Sequence, residues 1–288
     1  MTGKQHIART VAFAMAIVAA GNGLAKAPQK VTPVVAAERE FAAYAEEHGW
    51  IPAFRIYAAP DGVVIPDGQI RNARAVFNAR ADTGSRALKW WPATALIARS
   101  GDLGFTTGPY TVGDGGKIQG QYFTVWQRQP DGRWRWVFDG GTGTEEPVAI
   151  PRDGAVQEFP ASASRSMSPA TAIARVASLE AAHASSGSLA PFLAPQARVL
   201  RPERPPATGM AARQDMVFPN AAIAYDRAER SLASGAGDLV FTLGTAHWIE
   251  PSGDSGTGHY ARIWQDTPKG WRIVFDELLP APPPKPAS

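Results

Sequence analysis

Two carboxylates stand at matching places in this 288-residue chain. Asp139 follows Trp134-Arg135-Trp136-Val137-Phe138, and Asp276 follows Trp271-Arg272-Ile273-Val274-Phe275. An aspartate at a strand end can project into an apolar pocket, where burial raises its pKa and suits it to general acid–base work. It can equally pair with an arginine or cap a turn, and Arg133 and Arg135 are close enough in sequence to serve. Strict alternation puts Trp134, Trp136 and Phe138 on one strand face and Arg135, Val137 and Asp139 on the other. Gly140-Gly141 leaves Asp139 uncrowded, so it is the candidate catalytic residue. Trp50, Trp91, Tyr110, Tyr122, Trp126 and Trp136 are the candidate ligand-binding residues. They could hold a flat hydrophobic molecule, or they could simply pack a core. Tyr122 and Trp126 share strand parity with Thr124 and so fall on one sheet face.

Gly253-Asp254-Ser255-Gly256 and Thr245-Ala246-His247 echo the nucleophile and histidine segments of chymotrypsin-like proteases. His247 precedes Ser255 by only eight residues, whereas that triad is assembled from distant segments. Ser255 therefore belongs to a hairpin loop, matching Gly113-Asp114-Gly115-Gly116. If the turn centres on Gly253, His247 and His259 face each other across the hairpin and form a weak metal pair lacking a third ligand. No metal and no cofactor is expected. The chain has no cysteine, which removes thiolate nucleophiles and disulfides. It also has no phosphate-cradling glycine loop before a helix and no His-Glu-x-x-His element.

The elements that position these residues occur twice. Gly101-Asp102-Leu103-Gly104-Phe105-Thr106-Thr107-Gly108 matches Gly237-Asp238-Leu239-Val240-Phe241-Thr242-Leu243-Gly244. Tyr122-Phe123-Thr124-Val125-Trp126-Gln127 matches Tyr260-Ala261-Arg262-Ile263-Trp264-Gln265, and the Asp139 and Asp276 segments complete the series in the same order. Each block alternates apolar and polar residues between turn signals such as Asp131-Gly132 and Lys269-Gly270, the pattern of antiparallel strands joined by hairpins. Each copy opens with a helix. Thr32-Pro33 begins the first and Gly49 stops it; Ser168-Pro169 begins the second and Gly187 closes it.

Leu88-Lys89-Trp90-Trp91-Pro92, Ser100 through Tyr110, Trp126-Gln127-Arg128 and Asp131-Gly132-Arg133-Trp134 resemble the SnoaL-like branch of the nuclear transport factor 2-like superfamily. The resemblance is specific over residues 33–143 and weaker over 168–278, which lack the Trp-Trp-Pro element. It implies an α+β fold: two tandem cone-shaped barrels, each a curved antiparallel sheet wrapped around helices and enclosing an apolar pocket. Members include isomerases, polyketide cyclases, dehydratases, epoxide hydrolases and proteins without an assigned reaction, so fold alone does not settle function.

The expected organisation is a signal peptide over 1–27, domain 1 over 32–146, a Pro/Ala/Ser-rich linker over 147–167, a divergent domain 2 over 168–279, and a proline-rich tail over 280–288. Lys4 and Arg9 precede the apolar run 11–20, and small residues follow up to Ala27, the pattern of an export signal. An exported protein, periplasmic or secreted, is expected. The net charge of +3 comes from Lys4, Arg9 and Lys26, and the balanced remainder argues against nucleic-acid and polybasic membrane partners. The leading functional expectation is binding of a small hydrophobic or aromatic molecule in domain 1. The alternatives are a cofactor-independent isomerase, cyclase or dehydratase using Asp139, and a structural or interaction module. The two sheets are expected to pack face to face, as an intramolecular pseudo-dimer in a monomeric chain.

Overall fold

Proline at the first helical position and an apolar stripe of Val34, Ala37, Phe41 and Ala45 set α1 (Pro33–His48), and Gly49 stops it with a φ of 96°. The computed structural model describes residues 32–114, 116–144, 151–183, 189–216, 223–249 and 252–282. The signal segment, Gly187 and the end of the proline-rich tail lie outside the described residues. Thr32 does not cap α1 with its side chain; its hydroxyl and amide donate to Glu158 instead. Domain 1 continues through α2 (Trp50–Tyr57), β1 (Ala58–Val64), β2 (Arg71–Asn72), α3 (Ala73–Ala79), β3 (Leu88–Trp90) and β4 (Thr94–Ile97). Three long strands follow: β5 (Leu103–Val112), β6 (Ile118–Arg128) and β7 (Trp134–Gly143). The sheet order is β2-β1-β7-β6-β5-β4, with β3 also paired to β5. One face of this sheet buries Tyr122, Trp126 and Trp136 against Phe41 and Phe54 of the helices.

One failure of strand alternation matters for the site. Val125 pairs with Phe138 but Trp126 pairs with Trp136, so Val137 is an extra residue, a β-bulge. The expected grouping of Phe138 with Trp136, opposite Asp139, is therefore corrected. The bulge turns Phe138 to the outer face and leaves Asp139, paired with Thr124, on the inner face with Trp136.

Domain 2 repeats the plan with α4 (Pro169–His183), β9 (Leu193–Leu200), β10 (Ala207–Thr208), α5 (Gly209–Asp215), β11 (Ala224–Tyr225), β12 (Arg230–Ala233), β13 (Leu239–Ile249), β14 (Ser255–Thr267) and β15 (Gly270–Pro280). Its sheet order is β10-β9-β15-β14-β13-β11, with β12 also on β13, and the bulge recurs at Val274. The protein is two tandem α+β cones.

The segment between the cones is more than a linker. Gln157 and Glu158 form β8 (Gln157–Glu158), a parallel edge strand on β4. Phe159 packs on Phe105, and Ser162 and Pro160 bond Asp266 and Gln265 of domain 2.

The outer sheet faces pack against each other. Phe123 stacks on Phe275 with centroids 3.9 Å apart, and Phe138 meets Phe241 at 5.4 Å. The repeated Gly-Asp motif forms a reciprocal clasp at this seam. Asp102 accepts from the Gly235 amide at 2.8 Å, and Asp238 accepts from the Arg99 amide at 3.0 Å. Gly101 and Gly237, at φ 67° and 64°, make the turns that present the two aspartates.

Candidate functional site

Domain 1 holds a cavity of about 250 Å³ lined by Phe54, Leu88, Trp90, Tyr110, Tyr122, Asp139, Gly140 and Gly141. No cation is among these residues. β3 supplies Leu88 and Trp90, β5 and β6 supply the tyrosines, and the bulged β7 supplies Asp139. The Asp139 carboxylate accepts a bond from the Thr124 hydroxyl at 2.7 Å and has no ion pair among the described residues. Desolvation raises its pKa to about 8, against the lowering effect of the Thr124 bond, and the nearby Glu38 adds to the rise. The Tyr122 hydroxyl is buried and has no bonding partner among the described residues.

Beneath the cavity lies a residue that the sequence reading missed. Glu38, on the inner stripe of α1, accepts bonds from Trp90 Nε1 at 2.6 Å, from Trp126 Nε1 at 2.8 Å and from the Thr106 hydroxyl. Burial raises its pKa despite these donors. Its position four residues after Val34 and three before Phe41 was the available signal, since a carboxylate in an apolar stripe needs buried donors.

Of the six aromatic candidates, Tyr110 and Tyr122 line the cavity. Trp126 is core, bonded to Glu38. Trp136 is fully buried core, packed on Phe54 and Phe77. Trp50 packs edge-on against Phe54 and Phe77, and the Arg80 guanidinium lies 5.8 Å from its ring. Trp91 borders an external groove with Arg39 and Arg152. Its neighbour Trp90 faces inward, because adjacent strand residues point to opposite faces.

His247 pairs with Thr257 and His259 with Thr245, so the two histidines are not opposite each other. The hairpin is centred one residue earlier than expected. His247 is exposed and bonds Asp226 and Thr257. Among the described residues, no group of three or more side chains is arranged to hold a metal. Ser255 is the first residue of β14, paired with Ile249.

Domain 2 keeps most of the polar set and changes one member. Glu180 accepts from Thr242 at 2.9 Å and from Trp264 Nε1 at 2.8 Å, as Glu38 does from Thr106 and Trp126. Where domain 1 has Thr124, domain 2 has Arg262. Arg262 is fully buried and bonds Asp276 at 2.5 Å and Glu180 at 3.1 Å. Arg201, also fully buried, bonds the other Asp276 oxygen at 2.8 Å. The carboxylate that is unpaired in one copy is therefore held by two arginines in the other.

No protein-family model matches the chain, and no curated protein does. Among solved structures, the chain is similar to SalBIII, an epoxide hydrolase/cyclase-like enzyme in pyran ring formation in the polyether salinomycin, at 15% identity and a TM-score of 0.32 over 40% of this chain and 94% of that one. It is also similar to a ketosteroid isomerase-like protein from Erwinia carotovora atroseptica, at 12% identity and a TM-score of 0.31 over 39% of this chain and 96% of that one. An NTF-2 like protein of unknown function from Shewanella oneidensis matches at 12% identity and a TM-score of 0.29, over 38% of this chain and 97% of that one.

Proposed function

We propose that domain 1 binds a small, largely hydrophobic or aromatic molecule whose polar head meets Asp139. The observation that carries this is the contrast between the copies: an aromatic-walled cavity around an unpaired Asp139 in domain 1, and the doubly paired Asp276 in domain 2. An apolar cavity of roughly 150 Å³ holds benzene, so the domain 1 cavity suits a substituted ring or a compact bicycle. Titration with 2-naphthol, followed by tryptophan fluorescence, tests this. Leu88→Phe, which fills the cavity, should weaken binding about tenfold or more, while Trp91→Phe should leave it unchanged. Binding that is lost with Trp91→Phe and retained with Leu88→Phe would move the site to the external groove.

The Asp139 pKa of about 8 favours a second reading, proton transfer on the bound molecule. General acid–base groups contribute roughly 10²–10⁴ in rate. Deuterium exchange into cyclic ketones should then fall by about that factor in Asp139→Asn. Wild-type exchange no faster than buffer rejects catalysis and leaves a binding protein.

The export pattern over residues 1–27 and the sheet-to-sheet seam support a processed, exported, monomeric chain. Among the described residues no helix is long and apolar enough to cross a membrane. Intact mass of protein from the native host should show loss of 20 to 27 residues, and sedimentation should give one chain. A full-length mass or a stable dimer rejects the corresponding part.

A further inference from the structure

The second copy contains a ready-made occupant for the position that is open in the first. The Arg262 guanidinium lies 4.5 Å from the Tyr225 ring and 4.7 Å from the Tyr260 ring, and it bonds Glu180 and Asp276. Each of these four residues has a counterpart in domain 1. Tyr260 corresponds to Tyr122 and Asp276 to Asp139 in the repeated strands. Glu180 corresponds to Glu38 through the shared threonine and tryptophan donors. Tyr225 pairs with Ala246 as Trp90 pairs with Tyr110, so Tyr225 corresponds to Trp90. Domain 1 thus retains two aromatic faces and two carboxyls, and the side chain that would sit among them is shortened to Thr124.

The surroundings add further carboxyl groups. Glu277, the residue of domain 2 matching Gly140, is fully buried with both oxygens unbonded among the described residues. It lies 3.6 Å from where a Cβ on Gly140 would stand, and Gly140 lines the cavity. The groups around Asp139 are Thr124 and Tyr122 of β6, Tyr110 of β5, Glu38 of α1 and Glu277 of β15. Two cations lie near these groups: Arg198, which bonds Gln121 and acts electrostatically on the Tyr122 hydroxyl, and Arg201, which is bonded to Asp276 and acts on Glu277. None of Glu38, Asp139 and Glu277 is in an ion pair among the described residues.

The geometry points to a cationic ligand: the domain 1 cavity takes a small aromatic or apolar molecule bearing an amidinium, guanidinium or ammonium head. The head occupies the place that the Arg262 guanidinium fills in domain 2, against Asp139 and between Trp90 and Tyr122. Cations over aromatic faces with a carboxylate counter-ion form a desolvated and selective combination. The inference rests on the binding reading above and names the charge of the ligand.

Calorimetric titration of the full chain with benzamidine, benzamide and benzoate separates the possibilities, because the three share a ring and differ in head charge. Benzamidine should bind at least tenfold more tightly than benzamide at pH 8.5, with benzoate weakest. The preference should shrink as pH falls through about 8, where Asp139 takes up its proton, and vanish in Asp139→Asn. Thr124→Arg, which supplies the internal guanidinium, should abolish benzamidine binding. If that variant fails to fold, Leu88→Phe tests occupancy of the same cavity. Benzamide binding as tightly as benzamidine, or a preference that survives Asp139→Asn, overturns the cationic class and leaves the binding reading standing. Failure of all three probes to bind overturns both.

Discussion

Replacing Arg262 by leucine should destabilise the protein by about 3–5 kcal/mol, the cost expected when one partner of a buried ion network is removed. Arg262 is fully buried and joins Glu180 to Asp276, so its loss leaves both carboxylates short of a donor in a dry interior. At roughly 2–4 °C per kcal/mol for a chain of this size, the melting temperature should fall by about 10 °C. Thr124→Ala at the matching place in domain 1 removes one hydrogen bond beside a cavity and should cost about 1 kcal/mol. Urea denaturation of the two variants checks the contrast. Equal losses would mean that domain 2 does not depend on the arginine filling its interior.

Asp139→Asn should stabilise the folded chain at pH 8 by about 2–4 kcal/mol and change it little at pH 4. The sign follows from the pKa. Burial raises it from an ordinary 3.8 to about 8, so the folded state prefers the neutral carboxyl. The resulting contribution to stability is full below pH 4 and is lost as pH rises through 8. A full four-unit shift corresponds to roughly 5 kcal/mol; the carboxyl lines a cavity, so solvent screening reduces the figure. Asparagine accepts the Thr124 bond without titrating, and the stability curve of the variant should be flatter between pH 4 and pH 8. Some slope remains from Glu38 and Glu277, whose pKa values burial also raises. Parallel pH–stability curves for wild type and variant would show that Asp139 ionises freely in the fold. The same substitution should remove the binding preference for benzamidine, so stability and ligand recognition trade against each other at one side chain.

The duplicated blocks made the architecture legible, because strand alternation, turn glycines and helix-opening prolines are local signals that need no partner to be recognised. The outer-face residues Phe105 and Phe123 could be placed by parity alone, whereas Phe275 lies beyond the bulge at Val274 and could not. The Gly-Asp motif was visible as a repeat, but its role was not: the amides of Arg99 and Gly235 lie on opposite domains from the aspartates they bond. The segment over 147–167 reads in sequence as a plain linker because its composition carries no period. Edge pairing of two residues and a single buried phenylalanine leave no periodic trace.

The site divides along the same physical line. Sequence alone selected Asp139, Tyr110 and Tyr122, since matched strand ends and parity are encoded residue by residue. It chose Trp91 over Trp90 because the two are adjacent, and only the pairing of β3 with β5 decides which one faces inward. It placed Trp136 with Phe138 and opposite Asp139 because a β-bulge is set by how two strands fit together, and a bulge of one residue reverses every face beyond it. It could read Arg262 against Thr124 as a simple difference between copies. That one arginine fills an interior while the threonine leaves a cavity with an uncompensated carboxyl is a fact of volume and charge in three dimensions. Whether a buried aspartate is paired depends on which distant strands bring a cation within reach, and that is decided by the tertiary structure.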